Sequence, residues 1–346
     1  MPHGLQTRPA PFGERALLSV LSAQARISGS ASRPVRVGIG DDCAVLRVPA
    51  GHEVAVTTDL LLETVHFRRD WHSPEAAGHR CLARGLSDLA AMGARPLAAF
   101  LSFAIPPELA GKWTTRFLDG LLALARASHV PLAGGDTAQA PALGGKSLFS
   151  ADICLLGSVP AGSALLRSGA HAGDLLYVTG ALGGAAAELA LLASRPTPFR
   201  RLRSATESHP HLFPQPRLAQ GRRLRTLATA AIDLSDGLST DLLHLCESSG
   251  LGAEIEAGAV PIHALALKDP DPLAQALHGG EDYELLFTAA PATRIPLTLA
   301  GVPVTRIGRM LRGRKGVSHI TLIDGDGAGF SLASQGWEHF RAKPAS

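Results

Sequence analysis

The chain has 346 residues, 46% hydrophobic and 18% charged, with a formal net charge of +3. That length allows two domains and a sizeable core. The small net charge, the 5% aromatic content and basic clusters that read as solvated loops (200–203, 222–225, 312–315) argue against a nucleic-acid groove. No apolar run reaches the roughly 18 residues of a membrane span. Cys43, Cys81, Cys154 and Cys246 lie far apart with no CxxC pair. This speaks against zinc and against a disulfide framework and fits a reducing, cytoplasmic setting. Residues 1–11 are polar and Pro-rich, without the apolar stretch of a signal peptide.

In chain order, residues 13–27 space Leu17, Leu18, Leu21 and Ile27 as a helix does, and a Gly/Ser/Pro linker follows at 28–34. Residues 43–48 and 53–58 read as adjacent strands joined by a Pro-Ala-Gly turn. Ser73 and Pro74 open a helix as N-cap and first residue, and Gly93 ends it. A strand over 97–105, a helix from about 106 to 128 and a strand over 148–159 follow. Composition shifts near 160–174. Beyond it come a strand at 175–179, a helix at 183–194, a Pro/Arg-rich loop at 195–216, a helix at 217–231, a helix from about 239 to 248, and strands at 252–257 and 284–289. The alternation predicts an α/β fold, an α+β sandwich. The expected division is an N-terminal extension (1–34), an N-terminal domain (35–160) and a C-terminal domain (161–346).

Short acidic blocks with small neighbours are scattered along this framework: Asp41 and Asp42 in GIGDDCAVL, Asp59 in TTD, Asp88 in LSDLAAMGA, Asp136 in AGGDT, Asp233 and Asp236 in AIDLSDGLSTD, Glu281 and Asp282 in HGGEDYELLF. Small neighbours let carboxylates approach each other closely, and such carboxylates repel unless a cation lies between them. Mg²⁺ takes one or two carboxylates and fills its shell with phosphate and water. The expectation is a single multi-metal pocket handling a polyphosphate. Taken singly, each block has an ordinary reading. Asp88 fits an i,i+4 ion pair with Arg84, Asp233 and Asp236 fit an Asx turn, and His66 fits a structural histidine. Arg167 holds a phosphate or decorates a loop, and Trp337 anchors the tail or stacks on a flat ligand. Three familiar motifs fail. The Gly144-Gly145-Lys146-Ser147 run has Ala140 where a P-loop needs its leading Gly. The Gly38-Ile39-Gly40 run has Cys43 at the third glycine position of a dinucleotide fingerprint. An EF-hand starting at Asp233 would have Leu238 and His244 in place of its Gly and Glu.

In order, GIGDDCAVL, TTDLLLETVHF, LSDLAAMGARP, GGDT, LLRSGAHAGD, YVTG, AIDLSDGLSTDL, GGEDYELLFT and GWEHF resemble the thiamine-monophosphate kinase family over about residues 12–340. The wider superfamily includes aminoimidazole ribonucleotide synthetase, selenophosphate synthetase and a hydrogenase maturation protein. The resemblance implies a two-domain aminoimidazole ribonucleotide synthetase-like fold whose N-terminal domains pair in a homodimer. It implies transfer of phosphate from ATP to thiamine monophosphate, giving thiamine diphosphate, with several Mg²⁺ ions per site. Asp42, Thr57, Thr58, Asp59, Asp88, Asp136, Asp233 and Asp236 match the metal ligands, Gly135, Asp136, Arg167 and Ser235 the ATP contacts, and His66, Glu281 and Trp337 the substrate contacts. No residue is implied as a general base. The chain departs from the pattern at Thr64, at residues 181–184 and at Phe213, where an Arg is usual. The alternatives are another ATP-using synthetase of the superfamily or a non-catalytic nucleotide-binding protein.

Overall fold

A computed structural model describes residues 34–142, 144–194, 209–313 and 319–337. The helix expected over 13–27 and nearly all of the linker after it lie outside these residues. The N-terminal part contains β1 (Val35–Val37), β2 (Val45–Leu46), β3 (His52–Leu62), α1 (Pro74–Ala91), β4 (Arg95–Ile105), α2 (Lys112–Ala127), β5 (Leu132–Gln139) and β6 (Ser150–Pro160). β3, β6, β4 and β5 form a four-stranded sheet in that order. Strand alternation sends Ala55, Thr57, Asp59 and Leu61 toward the helices and Val54, Val56, Thr58 and Leu60 to the opposite, exposed face.

β2 and β3 do not pair. The turn expected between them exists, with His52 N–H donating to Pro49 O. However, β2 pairs with β1, while β3 runs antiparallel to β6 from His52↔Pro160 to Leu62↔Ser150. An 11-residue ladder outweighs the two residues that β2 offers. α1 begins as its sequence dictates: Ser73 Oγ accepts from Ala76 N–H, Pro74 opens the helix, and Gly93 at φ +67° follows its end.

The C-terminal part contains β7 (Leu175–Thr179), α3 (Gly184–Ser194), α4 (Leu218–Leu224), β8 (Ala230–Asp233), α5 (Leu238–Ser249), β9 (Leu251–Glu256), α6 (Pro272–His278), β10 (Leu285–Ala289), β11 (Thr298–Leu299), β12 (Val302–Arg312), β13 (Ile320–Ile323) and β14 (Gly329–Ser331). Its sheet runs β14-β13-β9-β12-β7-β10-β8, with β11 paired to β12. The helix expected over 217–231 stops at Leu224. Ala230–Asp233 is a buried strand on β10, with Leu285↔Asp233 and Thr288↔Ala230 in register. Ladder pairing and burial override the helical propensity of the alanines there.

α1 is the seam between the two parts. One face packs on α2 and the first sheet, and the other meets α4 and β8. A Cβ on Gly221 of α4 would stand 1.9 Å from the Ala90 carbonyl oxygen, so only glycine lets the two helices approach this closely. Leu218, Leu224, Leu285 and Phe287 accordingly join the core built around α1.

Candidate active site

α1 carries Arg80, Arg84 and Asp88 four residues apart, on one stripe facing the seam. The end of β3 lies beside it. Thr57 Oγ1 donates to Asp88 Oδ2 at 2.5 Å. Arg84 does not pair with Asp88; its Nε and a terminal nitrogen donate to Asp59 Oδ1 at 3.0 and 2.6 Å. Across the seam, Ser87 Oγ donates to Asp233 Oδ2 at 2.7 Å.

The turn after β8 is held from three sides. Asp241 Oδ2 accepts from the N–H groups of Asp236 and Gly237 at 3.0 and 3.1 Å. Glu281 N–H donates to Ser235 O, and Trp337 N–H donates to Asp236 O. Residues far apart in sequence thus bring Ser235 and Asp236 up to Asp88.

Glu281 stands at φ +70° on the loop before β10. Its Oε1 accepts from Arg80 at 2.5 Å, and its Oε2 lies 3.1 Å from His211 Nδ1. His211 Nε2 lies 3.0 Å from His72 Nε2, and His72 Nδ1 accepts from Arg68 N–H at 3.3 Å. One choice of tautomers pairs every ring nitrogen: His72 Nε2–H donates to His211, and His211 Nδ1–H donates to Glu281. Burial, then the Arg80 charge, pushes both imidazoles down, His72 to about 3, so both are neutral near pH 7. Burial opposes the charge on Glu281, but Arg80 and His211 hold it well below the usual carboxylate range. Its neighbours on the loop have structural work. Asp282 caps the first turn of α3 through Gly183 and Ala185 N–H, and Glu284 is gripped by Arg217 and Thr179.

These elements enclose a cavity of about 370 Å³. Thr58, Asp59, Asp88, Asp233, Ser235 and Asp236 line it. His66, Arg84, Glu281, Tyr283 and Trp337 line the same cavity. His66 is oriented by Leu62 N–H donating to its Nδ1 at 2.9 Å. Arg167 is near enough for its charge to favour ionised Asp88 and Asp233.

Asp42, Gly135 and Asp136 are elsewhere. They line a second cleft of about 610 Å³ between the 38–44 loop and β5. The expected single pocket is therefore two clefts within one chain. AGGDT is not a free loop either: it forms part of β5, paired with β4 through Leu101↔Gly135 and Ser102↔Asp136. Gly135, at φ +148°, leaves no room for a side chain, because a Cβ there would meet Leu101 O at 1.8 Å.

Among the described residues, no three His, Cys, Asp or Glu side chains gather into a ready ion cage. The chemistry of the first cavity nevertheless suits a divalent cation bound together with phosphate. Burial and then the Asp88 charge raise the Asp233 carboxyl to about 7. Burial raises Asp88 too, relieved by the Thr57 hydrogen bond and aggravated by Asp59. Buried like charges facing each other are stabilised by a cation between them, and two carboxylates per ion with phosphate oxygens is the usual Mg²⁺ arrangement.

Residues 40–159 match the AIR synthase related protein N-terminal domain and residues 171–320 the corresponding C-terminal domain. Fold and site thus define a two-domain α/β protein of the AIR synthase-like class. Thiamine-monophosphate kinase of Salmonella typhimurium (strain LT2) is 41% identical over 318 residues, covering 88% of this chain and 92% of that protein. The crystal structure of thiamine-monophosphate kinase from Stenotrophomonas maltophilia K279a superposes with a TM-score of 0.77 at 36% identity, covering 89% of this chain and 96% of that one. AaThiL complexed with AMPPCP and TMP gives a TM-score of 0.71 at 25% identity, covering 98% and 100%. The chain belongs to the thiamine-monophosphate kinase family.

Proposed function

We propose that this chain phosphorylates thiamine monophosphate with ATP, giving thiamine diphosphate and ADP by direct in-line transfer. The observation that carries this is the seam cavity, which gathers carboxylates suited to metal-bound phosphates together with His66, Glu281 and Trp337. In this reading Asp59, Asp88, Asp233 and Asp236 hold Mg²⁺ with the oxygens of Thr57 and Thr58, and Ser235 and Arg167 meet the ATP phosphates. Trp337 offers its π-face to the organic cation. When bound, Mg²⁺ supplies charge neutralisation between two anionic reactants. The chain's own work is positioning. α1 and the 233–236 turn fix the carboxylates, and the Arg80–His211 pair keeps Glu281 ionised and still. The acceptor phosphate is already ionised, so no side chain is assigned as a general base.

Asp42, Gly135 and Asp136 belong to the same reading as further metal and ATP contacts, reached from the second cleft. The division into an N-terminal extension (1–34), an ATP- and metal-binding domain (35–160) and a C-terminal domain (161–346) goes with it. Among the described residues no helix is long and apolar enough to cross a membrane; we assign the cytoplasm. A homodimer is part of the proposal. The open face of the first sheet exposes Val54 (44%), Val56 (61%) and Leu60 (53%), an apolar strip that a second copy would cover. Val56→Asp is expected to give monomers by sedimentation; a wild-type protein already monomeric at micromolar concentration would remove the dimer.

The deciding assay follows ADP release with and without thiamine monophosphate. Release that requires the monophosphate and yields thiamine diphosphate is expected. Release that ignores it, or needs an amide or selenide acceptor, points to a synthetase instead, and no release at all to a binding protein.

A further inference from the structure

We infer that Arg84 grips the phosphate of the acceptor and thereby makes the cavity select a phosphorylated thiamine over thiamine itself. The inference rests on the kinase reading and adds a residue to it. Among the described residues lining the cavity, Arg84 is the one with a permanent positive charge, and it shares that lining with Asp59, Asp88, Asp233, Asp236 and Glu281. A phosphate monoester entering beside those carboxylates needs a cation on its own side. Arg80 does not serve, since it is fully buried and committed to Glu281 and the His211 carbonyl.

Arg84 is placed for the task. It projects from the middle of α1, a rigid support, and its side chain is 15% exposed, so contacts to it are weakly screened by water. Its guanidinium lies between Asp59 and Glu281. Two of its five N–H groups go to one oxygen of Asp59, and its nearest approach to Glu281 is 3.9 Å, beyond hydrogen-bond range. The remaining donors form the planar fork that matches phosphate oxygens. Asp59 holds the fork in place, and an incoming phosphate shares it.

The test is equilibrium binding to the full chain in Mg²⁺ without ATP, by calorimetry, for thiamine monophosphate and for thiamine. Wild type is expected to prefer the monophosphate. Arg84→Met should lose about 10- to 100-fold in affinity for the monophosphate, the size of a charge-assisted contact, and stay within about twofold for thiamine. Arg84→Lys, which keeps the charge but not the fork, should fall between. An Arg84→Met protein that keeps its preference, or loses both ligands equally through disturbed folding, overturns the inference while the wild-type kinase reading stands. A wild-type protein that binds neither ligand overturns that reading instead.

Discussion

Asp233→Asn is expected to lower turnover about 10²- to 10³-fold and, in metal-free buffer at pH 8, to melt several degrees above wild type. Both effects come from the same geometry. Asp233 is buried at the seam, opposite Asp88, with its pKa raised to about 7. A carboxyl with a folded pKa raised from 3.8 costs no stability at low pH, where folded and unfolded states are both protonated. The cost grows as pH rises from about 4 to about 7 and is complete above that. Asparagine keeps the shape and an oxygen to accept from Ser87 Oγ, but carries no charge. The stability gap between variant and wild type should therefore open across that window and stay open above it. Saturating Mg²⁺ with ATP should close it from the wild-type side, because ligand binding stabilises the protein that binds. Melting curves from pH 4 to 8, with and without metal and nucleotide, check this. A variant that melts below wild type at pH 8 without metal, or that keeps near-normal ADP release, would show that Asp233 has no cation to hold.

How much of this was legible in the sequence depends on range. α1 was, because its signals are local: Ser73, Pro74 and the terminating Gly93 lie in one short stretch. β5 was not. Its Gly-Gly-Asp centre has poor strand propensity, and the strand exists because β4 offers a parallel partner from Ala99 to Ile105. β12 was missed for a similar reason, with Pro303 and Gly308 interrupting an 11-residue strand that pairing with β7 and β9 sustains across a register shift between Arg306 and Gly308. The acidic side of the site could be read from its small neighbours. Its basic side could not. Arg84 sits where an i,i+4 partner is available and takes Asp59 instead, 25 residues away. Arg80 finds Glu281 across 201 residues, and the only local hint is that 80, 84 and 88 share a helical stripe. The division of the acidic set into two clefts was equally beyond reach, since it follows from which sheet edge Asp136 occupies.

That long-range basic side carries the second large effect. Arg80→Met should destabilise the protein by about 3 kcal/mol. It removes the cation that neutralises Glu281 and strips donors from the His211 and His66 carbonyls. The penalty is mostly that of leaving a carboxylate poorly solvated and unpaired, so Arg80→Met combined with Glu281→Gln should recover part of it. The acid limb provides an independent check. Glu281 is held well below 4.5 in the folded protein, so its contribution is present above the unfolded carboxylate pKa and is lost as pH falls through the folded value. Without Arg80 that contribution shrinks, and the acid limb of the stability profile should be correspondingly shallower than in wild type. The single variant should also raise KM for thiamine monophosphate more than KM for ATP, since Glu281, with His66 and Trp337, is proposed as a contact of the acceptor. If Arg80→Met unfolds at the same temperature as wild type, or the double variant is less stable than the single one, the guanidinium is not what keeps Glu281 charged and in place.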